Sequence, residues 1–87
     1  MSWARHRRDP VESLTTRQRE VLRLLAEGLS NRGIAQELGV SEKAIVRHTS
    51  NIYDSLGLPD SAQEHRRVLA VRHFLRAEQT SVSEASR

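Results

Sequence analysis

Two short segments of helical apolar spacing meet at Leu38-Gly39-Val40-Ser41, and this joint constrains the chain more than any other feature. Glycine enters the left-handed backbone region that a Cβ disfavours, so Gly39 is predicted to end the preceding helix in a tight reversal. Val40 plugs the turn with an apolar side chain, and Ser41 offers the oxygen that caps a new helix at Glu42. Upstream, Ser30 caps a short helix whose Ile34, Ala35 and Leu38 face inward. Downstream, Ile45, Thr49, Ile52 and Leu56 recur at steps of four, three and four, which puts them on one buried stripe. Two helices joined in this way form a helix-turn-helix that props the N-terminal half of the second helix outward. From the turn alone, a helical hairpin inside some other bundle is the competing reading.

The flanks supply two more helices. Thr15 followed three residues later by Gln18 is a capping-box pattern, after which Val21, Leu22 and Leu25 form an apolar stripe that Gly28 stops. Gly57 and Pro59 end the third helix, and Asp60 or Ser61 caps a fourth over about residues 62–76. There Val68, Val71 and Leu75 share a face and are expected to seal the helix on the core. The predicted fold is therefore all-α, a four-helix bundle spanning residues 14–76. Residues 1–13 are polar, contain Pro10 and show no periodicity, so they read as a flexible leader or interdomain linker outside the core. Residues 77–87 are rich in Ser, Glu and Ala and read as a disordered tail.

A chain of 87 residues builds one small core. It has no cysteine, which excludes disulfides and thiolate metal sites and leaves packing to hold it together. No apolar run approaches the length of a membrane span and nothing resembles a signal peptide, so a cytoplasmic, nucleoid-associated protein without a membrane partner is expected. Fourteen Lys and Arg against 11 Asp and Glu favour a polyanionic partner, with Arg5, Arg7 and Arg8 clustered near the N-terminus. One Trp, one Tyr and one Phe provide no aromatic platform for single-stranded bases. His48, His65 and His73 lack the H-E-x-x-H spacing of a zinc site, and no serine, histidine and carboxylate arrangement suggests catalysis. No metal, cofactor or enzymatic activity is expected.

At about 100° per residue, Lys43, Arg47, Ser50 and Asp54 fall opposite the apolar stripe of the third helix. That helix, about residues 42–56, is thus predicted to enter the major groove of double-stranded DNA. A guanidinium pairs bidentately with guanine O6 and N7, which nominates Arg47 for base reading, whereas Lys43 near the helix start suits a phosphate. Val46 matches a thymine methyl, and Ser50 and Asn51 suit a base edge or a phosphate. Asn51 is alternatively a tie between helices. Asn31 and Arg32 open the second helix, where free N–H groups and the positive dipole end favour phosphate; Arg17 stands in the same place on the first, with a structural role as its alternative.

The run Leu14-Thr15-Thr16-Arg17-Gln18-Arg19-Glu20-Val21-Leu22 resembles the L-T-x-R-E-x-E-V-L opening of LuxR-type DNA-binding domains, the group that includes GerE, FixJ and NarL. Ala26-Glu27-Gly28-Leu29-Ser30-Asn31-Arg32-Gly33-Ile34-Ala35 is similar to that family's A-x-G-x-S-N-x-E-I-A. Val40-Ser41-Glu42-Lys43-Ala44-Ile45-Val46-Arg47-His48 is similar to V-S-E-x-T-V-K-x-H, and Ser50-Asn51-Ile52 and Leu56-Gly57-Leu58 follow in register. Leu56-Gly57-Leu58-Pro59 and His65-Arg66-Arg67-Val68-Leu69-Ala70-Val71, with Asp9-Pro10 ahead of the domain, resemble a branch of actinobacterial two-component response regulators. The resemblance implies transcription regulation, an upstream receiver domain and contact with RNA polymerase. A free-standing regulator is the other possibility.

The resemblance further implies a two-fold contact through the fourth helix. With Val68, Val71 and Leu75 assigned to the core, that contact falls on Leu69, flanked by His65, Arg66 and His73, as a weak homodimer. Gln18, Gly33, Ala44 and Val46 depart from the family pattern, the glycine costing about 1 kcal/mol of helix propensity. A base preference does not transfer across such changes. A sigma-factor region-4-like domain and a protein-interaction module on the same fold are the alternative readings.

Overall fold

The computed structural model describes residues 10–60 and 62–85, with side chains over 11–60 and 62–79. A 3-10 turn, Pro10–Ser13, leads into α1 (Thr16–Ala26), α2 (Asn31–Leu38), α3 (Glu42–Ser55) and α4 (Gln63–Ala85), and no strand occurs among the described residues. The all-α, four-helix expectation is met.

The start signals of α1, α2 and α3 act locally, whereas α4 begins at Gln63 with Ala62, not Asp60, immediately before it, and Ser61 lies outside the described residues. Thr15 accepts from the Gln18 backbone N–H at 3.1 Å, while the Gln18 side chain accepts from the Thr15 N–H at 2.9 Å, closing the capping box. Ser30 and Ser41 accept from Gly33 N and Ala44 N, each at 3.1 Å. Gly39 adopts φ 71°, and the Val40 N–H then donates to the Ala35 carbonyl at 3.0 Å. Gly57, at φ 69°, ends α3 likewise, with Leu58 N donating to the Tyr53 carbonyl at 3.0 Å.

The core comprises Val21, Leu22, Leu24 and Leu25 of α1, Ile34 and Ala35 of α2, Ile45, Ile52 and Tyr53 of α3, Leu56, and Ala70 of α4. Thr49 is also fully buried, its hydroxyl donating to the Val46 carbonyl at 2.9 Å, so the polar atom enters the core already paired.

Three expectations need correction. Residues 1–13 do not all lie outside the core, because Val11 is buried with Leu14 and the 3-10 turn packs against α4. One buried valine has no periodicity to betray it. Residues 1–9 lie outside the described residues. The helix expected to end near residue 76 runs on to Ala85, and Ala77 packs against the core, so 77–85 is helical; residues 86–87 lie outside the described residues. No glycine or proline interrupts that stretch.

The third correction concerns the orientation of α4. Val68 is 57% and Leu75 50% exposed, so of the three residues assigned to the core only Val71 packs against it. Ala70 is buried, Phe74 and Ala77 pack against the core with Val71 at its edge, and Arg66 and Arg67 are half-buried. Small Ala70 lets the helix approach closely, and the arginine stems cover apolar surface while their heads find polar partners.

Candidate nucleic-acid interface

α3 is anchored by its buried stripe, so its other side is necessarily presented to solvent. Lys43, Val46, Arg47, Ser50, Asn51 and Asp54 are all exposed on it, Val46 at 51%. No other described residue forms a hydrogen bond or ion pair with the side chains of Lys43, Arg47, Ser50 or Asn51. Asn51 is therefore not a tie between helices. From Glu42 to Asp54 the ridge is about 18 Å long at the α-helical rise, and a major groove admits one such helix. Asp54 lies at the C-terminal end, where the helix dipole is also negative. Approach to phosphates is accordingly favoured over the N-terminal half, between Lys43 and Ser50.

At the start of α2, Arg32 is exposed, whereas Asn31 is half-buried and its side-chain oxygen already accepts from Arg67 of α4 at 3.2 Å. Arg17 is exposed but lies 3.5 Å from Glu20, a surface pair of little energetic weight that a phosphate readily displaces. The structure thus gathers Lys43, Val46, Arg47, Ser50 and Asn51 on a single face and sets Asn31 and Arg32 on the adjoining helix.

On α4, Leu69 and His73 are half-buried and border a shallow hollow with Arg72 and Arg76, while His65 is exposed. Arg66 is turned inward: its guanidinium stands 5.0 Å from the centre of the Tyr53 ring, donates to Gln63 at 3.1 Å and lies 3.8 Å from Asp60. It is thereby engaged within the domain.

Sequence reasoning missed a second arginine. Arg67 donates to Asn31 Oδ1 and to the Leu29 carbonyl, linking α4 to the turn that starts α2. Its place in a polar-looking pair, Arg66-Arg67, carried no signal of burial. Tyr53, which the stripe at steps of four and three passes over, is fully buried, with Arg66 over its ring. Burial pushes its phenol above the ordinary 10.0, opposed by the nearby charges of Arg67 and Arg66.

A helix-turn-helix with an unobstructed outward face on its second helix defines a class of DNA-reading domains. The profile described as GerE, bacterial regulatory proteins of the luxR family, matches residues 12–68, and the chain belongs to that family. It is a DNA-binding domain of transcription regulation, and the sigma-factor reading falls away. The chain is 46% identical over 54 residues to the probable transcriptional regulatory protein SgaR of Hyphomicrobium methylovorum, covering 62% of this chain and 26% of that protein. It is 43% identical over 54 residues to the transcriptional regulatory protein LiaR of Bacillus subtilis, covering 62% and 26%. A nitrate/nitrite response regulator protein homolog of Haemophilus influenzae is 40% identical over 69 residues, covering 79% and 30%. The chain thus spans less than a third of the length of these relatives. No solved structure matches it.

Proposed function

We propose that this domain is the sequence-specific output module of a response regulator, with α3 lying in the major groove of double-stranded DNA. The observation that carries the reading is the α3 face of exposed basic, polar and methyl-bearing side chains without hydrogen-bond or ion-pair partners among the described residues. Arg47 reads a guanine, Val46 packs on a thymine methyl, and Ser50 and Asn51 reach base edges or adjacent phosphates. Lys43, Arg32, Arg17 and the first turn of α2 with Asn31 contact the backbone. A response regulator among the relatives supports an upstream receiver domain, and contact with RNA polymerase and a cytoplasmic location belong to the same proposal. No described helix is long and apolar enough to cross a membrane.

A weak homodimer through α4 belongs to the same proposal. The apolar surface available for it is Val68 and Leu75 on the outward side of the helix, with Leu69, His65 and His73 on the flank. Arg66 drops from this set because Tyr53 holds it.

Labelled-duplex binding at graded salt tests the reading. Affinity should fall with a log–log slope of about 0.9 per phosphate neutralised. Arg47→Ala should cost about 1–3 kcal/mol on a selected site and flatten discrimination at one base position, whereas Lys43→Ala should weaken all sequences alike. A flat salt response, or identical behaviour of both variants on selected and random duplexes, contradicts it.

A further inference from the structure

We infer that Arg67 of α4 is a positioning residue for DNA binding, which sets the first turn of α2 and the amide of Asn31 for contact with a phosphate. The inference rests on the proposed backbone contact of α2 and says what holds that contact in place.

Arg67 reaches back across the domain, and its two terminal nitrogens address two acceptors on either side of the cap residue Ser30. One donates to Asn31 Oδ1 at 3.2 Å and the other to the Leu29 main-chain carbonyl. Ser30 meanwhile accepts from Gly33 N, so the turn entering α2 is gripped from outside as well as capped from within. A guanidinium has donors only, so the amide of Asn31 must turn its oxygen toward Arg67. Its NH2 group is thereby directed away from Arg67, leaving two donors for an anion. Arg67 is half-buried and fixed by its planar fork. It therefore does not itself extend to the duplex. The neighbouring Arg66 covers Tyr53 of α3, so successive residues of one helix brace both DNA-facing helices.

The test uses the whole chain and a mixed-sequence duplex of about two helical turns, because phosphate contacts are independent of sequence. Arg67→Met retains the apolar stem and removes both donors. It should leave the helical circular dichroism intact and weaken duplex binding by about fivefold, with the salt slope unchanged. Arg67→Lys keeps the charge but not the fork, and should lose most of the same affinity. In an Asn31→Ala background, Arg67→Met should cost less than about twofold, since the residue acts chiefly through that amide. Arg32→Ala, by contrast, should lower the slope by about 0.9.

A folded Arg67→Met with full affinity overturns the inference. So does full rescue by lysine, which would reduce the effect to net charge, or a shallower salt slope, which would make Arg67 a phosphate contact. Additive losses in the double variant overturn it as well. If Arg67→Met does not fold, the lysine variant carries the same criteria. An unchanged slope in Arg32→Ala, together with unchanged affinity in Asn31→Ala, removes the phosphate contact of α2 and the inference with it. Additivity with that contact intact removes the inference alone.

Discussion

Tyr53 is where one side chain bears most weight. It is fully buried at the C-terminal end of α3, with Arg66 over its ring and the Gln63 amide donating to its hydroxyl at 3.4 Å. Burial raises its pKa above 10.0 despite the neighbouring guanidiniums. A raised folded-state pKa means that the folded protein binds the phenolic proton more tightly than the unfolded chain does. The stabilisation is fully present below the unfolded value and is lost as pH rises through the folded one. Phenolate absorbance from the single tyrosine should therefore titrate at higher pH in the folded domain than in urea. Stability should begin to fall above about pH 10, and Tyr53→Phe should remove that component. Coincident folded and unfolded titrations would show the phenol to be solvated.

Among the elements, α2 holds the most correctable defect. Gly33 sits at its third position with a helical backbone, outside the positive-φ glycines. A Cβ there would meet Ser30 Oγ at 3.5 Å and the Leu29 side chain at 3.6 Å, ordinary van der Waals distances. Neither strain nor a clash requires glycine. Gly33→Ala should stabilise the domain by about 0.5–1 kcal/mol, chiefly by reducing the freedom of the unfolded chain. Thermal unfolding should shift upward by a few degrees, at roughly 4–8 °C per kcal/mol for a domain of this size. A lower midpoint would reveal a role for flexibility at the start of α2.

For the whole molecule, the question is what covers the outward side of α4. Val68 and Leu75 lie one helical repeat apart and are each at least half exposed. Fully covering such side chains contributes about 1.5–3 kcal/mol apiece. Association must first overcome several kcal/mol of lost translational and rotational freedom. The domain should therefore sediment as a monomer at micromolar concentration and pair only on a two-fold site, where DNA raises the effective concentration. Leu75→Arg should preserve the fold and half-site affinity and abolish cooperative occupancy of a palindrome, read by gel shift on one-site and two-site duplexes. Cooperativity that survives it but is lost in Leu69→Arg would place the contact on the flank.

The starts of α1, α2 and α3 and the stops at Gly39 and Gly57 were legible because each is decided within about five residues. Thr15 needs only Gln18, Ser30 only Gly33, and Gly39 only the Ala35 carbonyl that Val40 meets. The solvent-facing side of α3 was legible too, since Ile45, Thr49, Ile52 and Leu56 form one buried stripe and leave Lys43, Val46, Arg47 and Ser50 outside. α4 carries apolar residues on two sides, and periodicity says which residues share a face without saying which face meets the core. That choice was made by the surfaces already formed. Phe74 and Ala70 fit against them, and Tyr53, Leu29 and Asn31 received the arginine heads. Long-range partners such as Arg67 and Asn31, 36 residues apart, become neighbours only once the helices are packed. What is local in the chain was determined by the sequence itself. The facing of α4 and the contacts of Arg66 and Arg67 with α3 and the start of α2 were decided by the tertiary structure, because packing free energy is a property of two surfaces together.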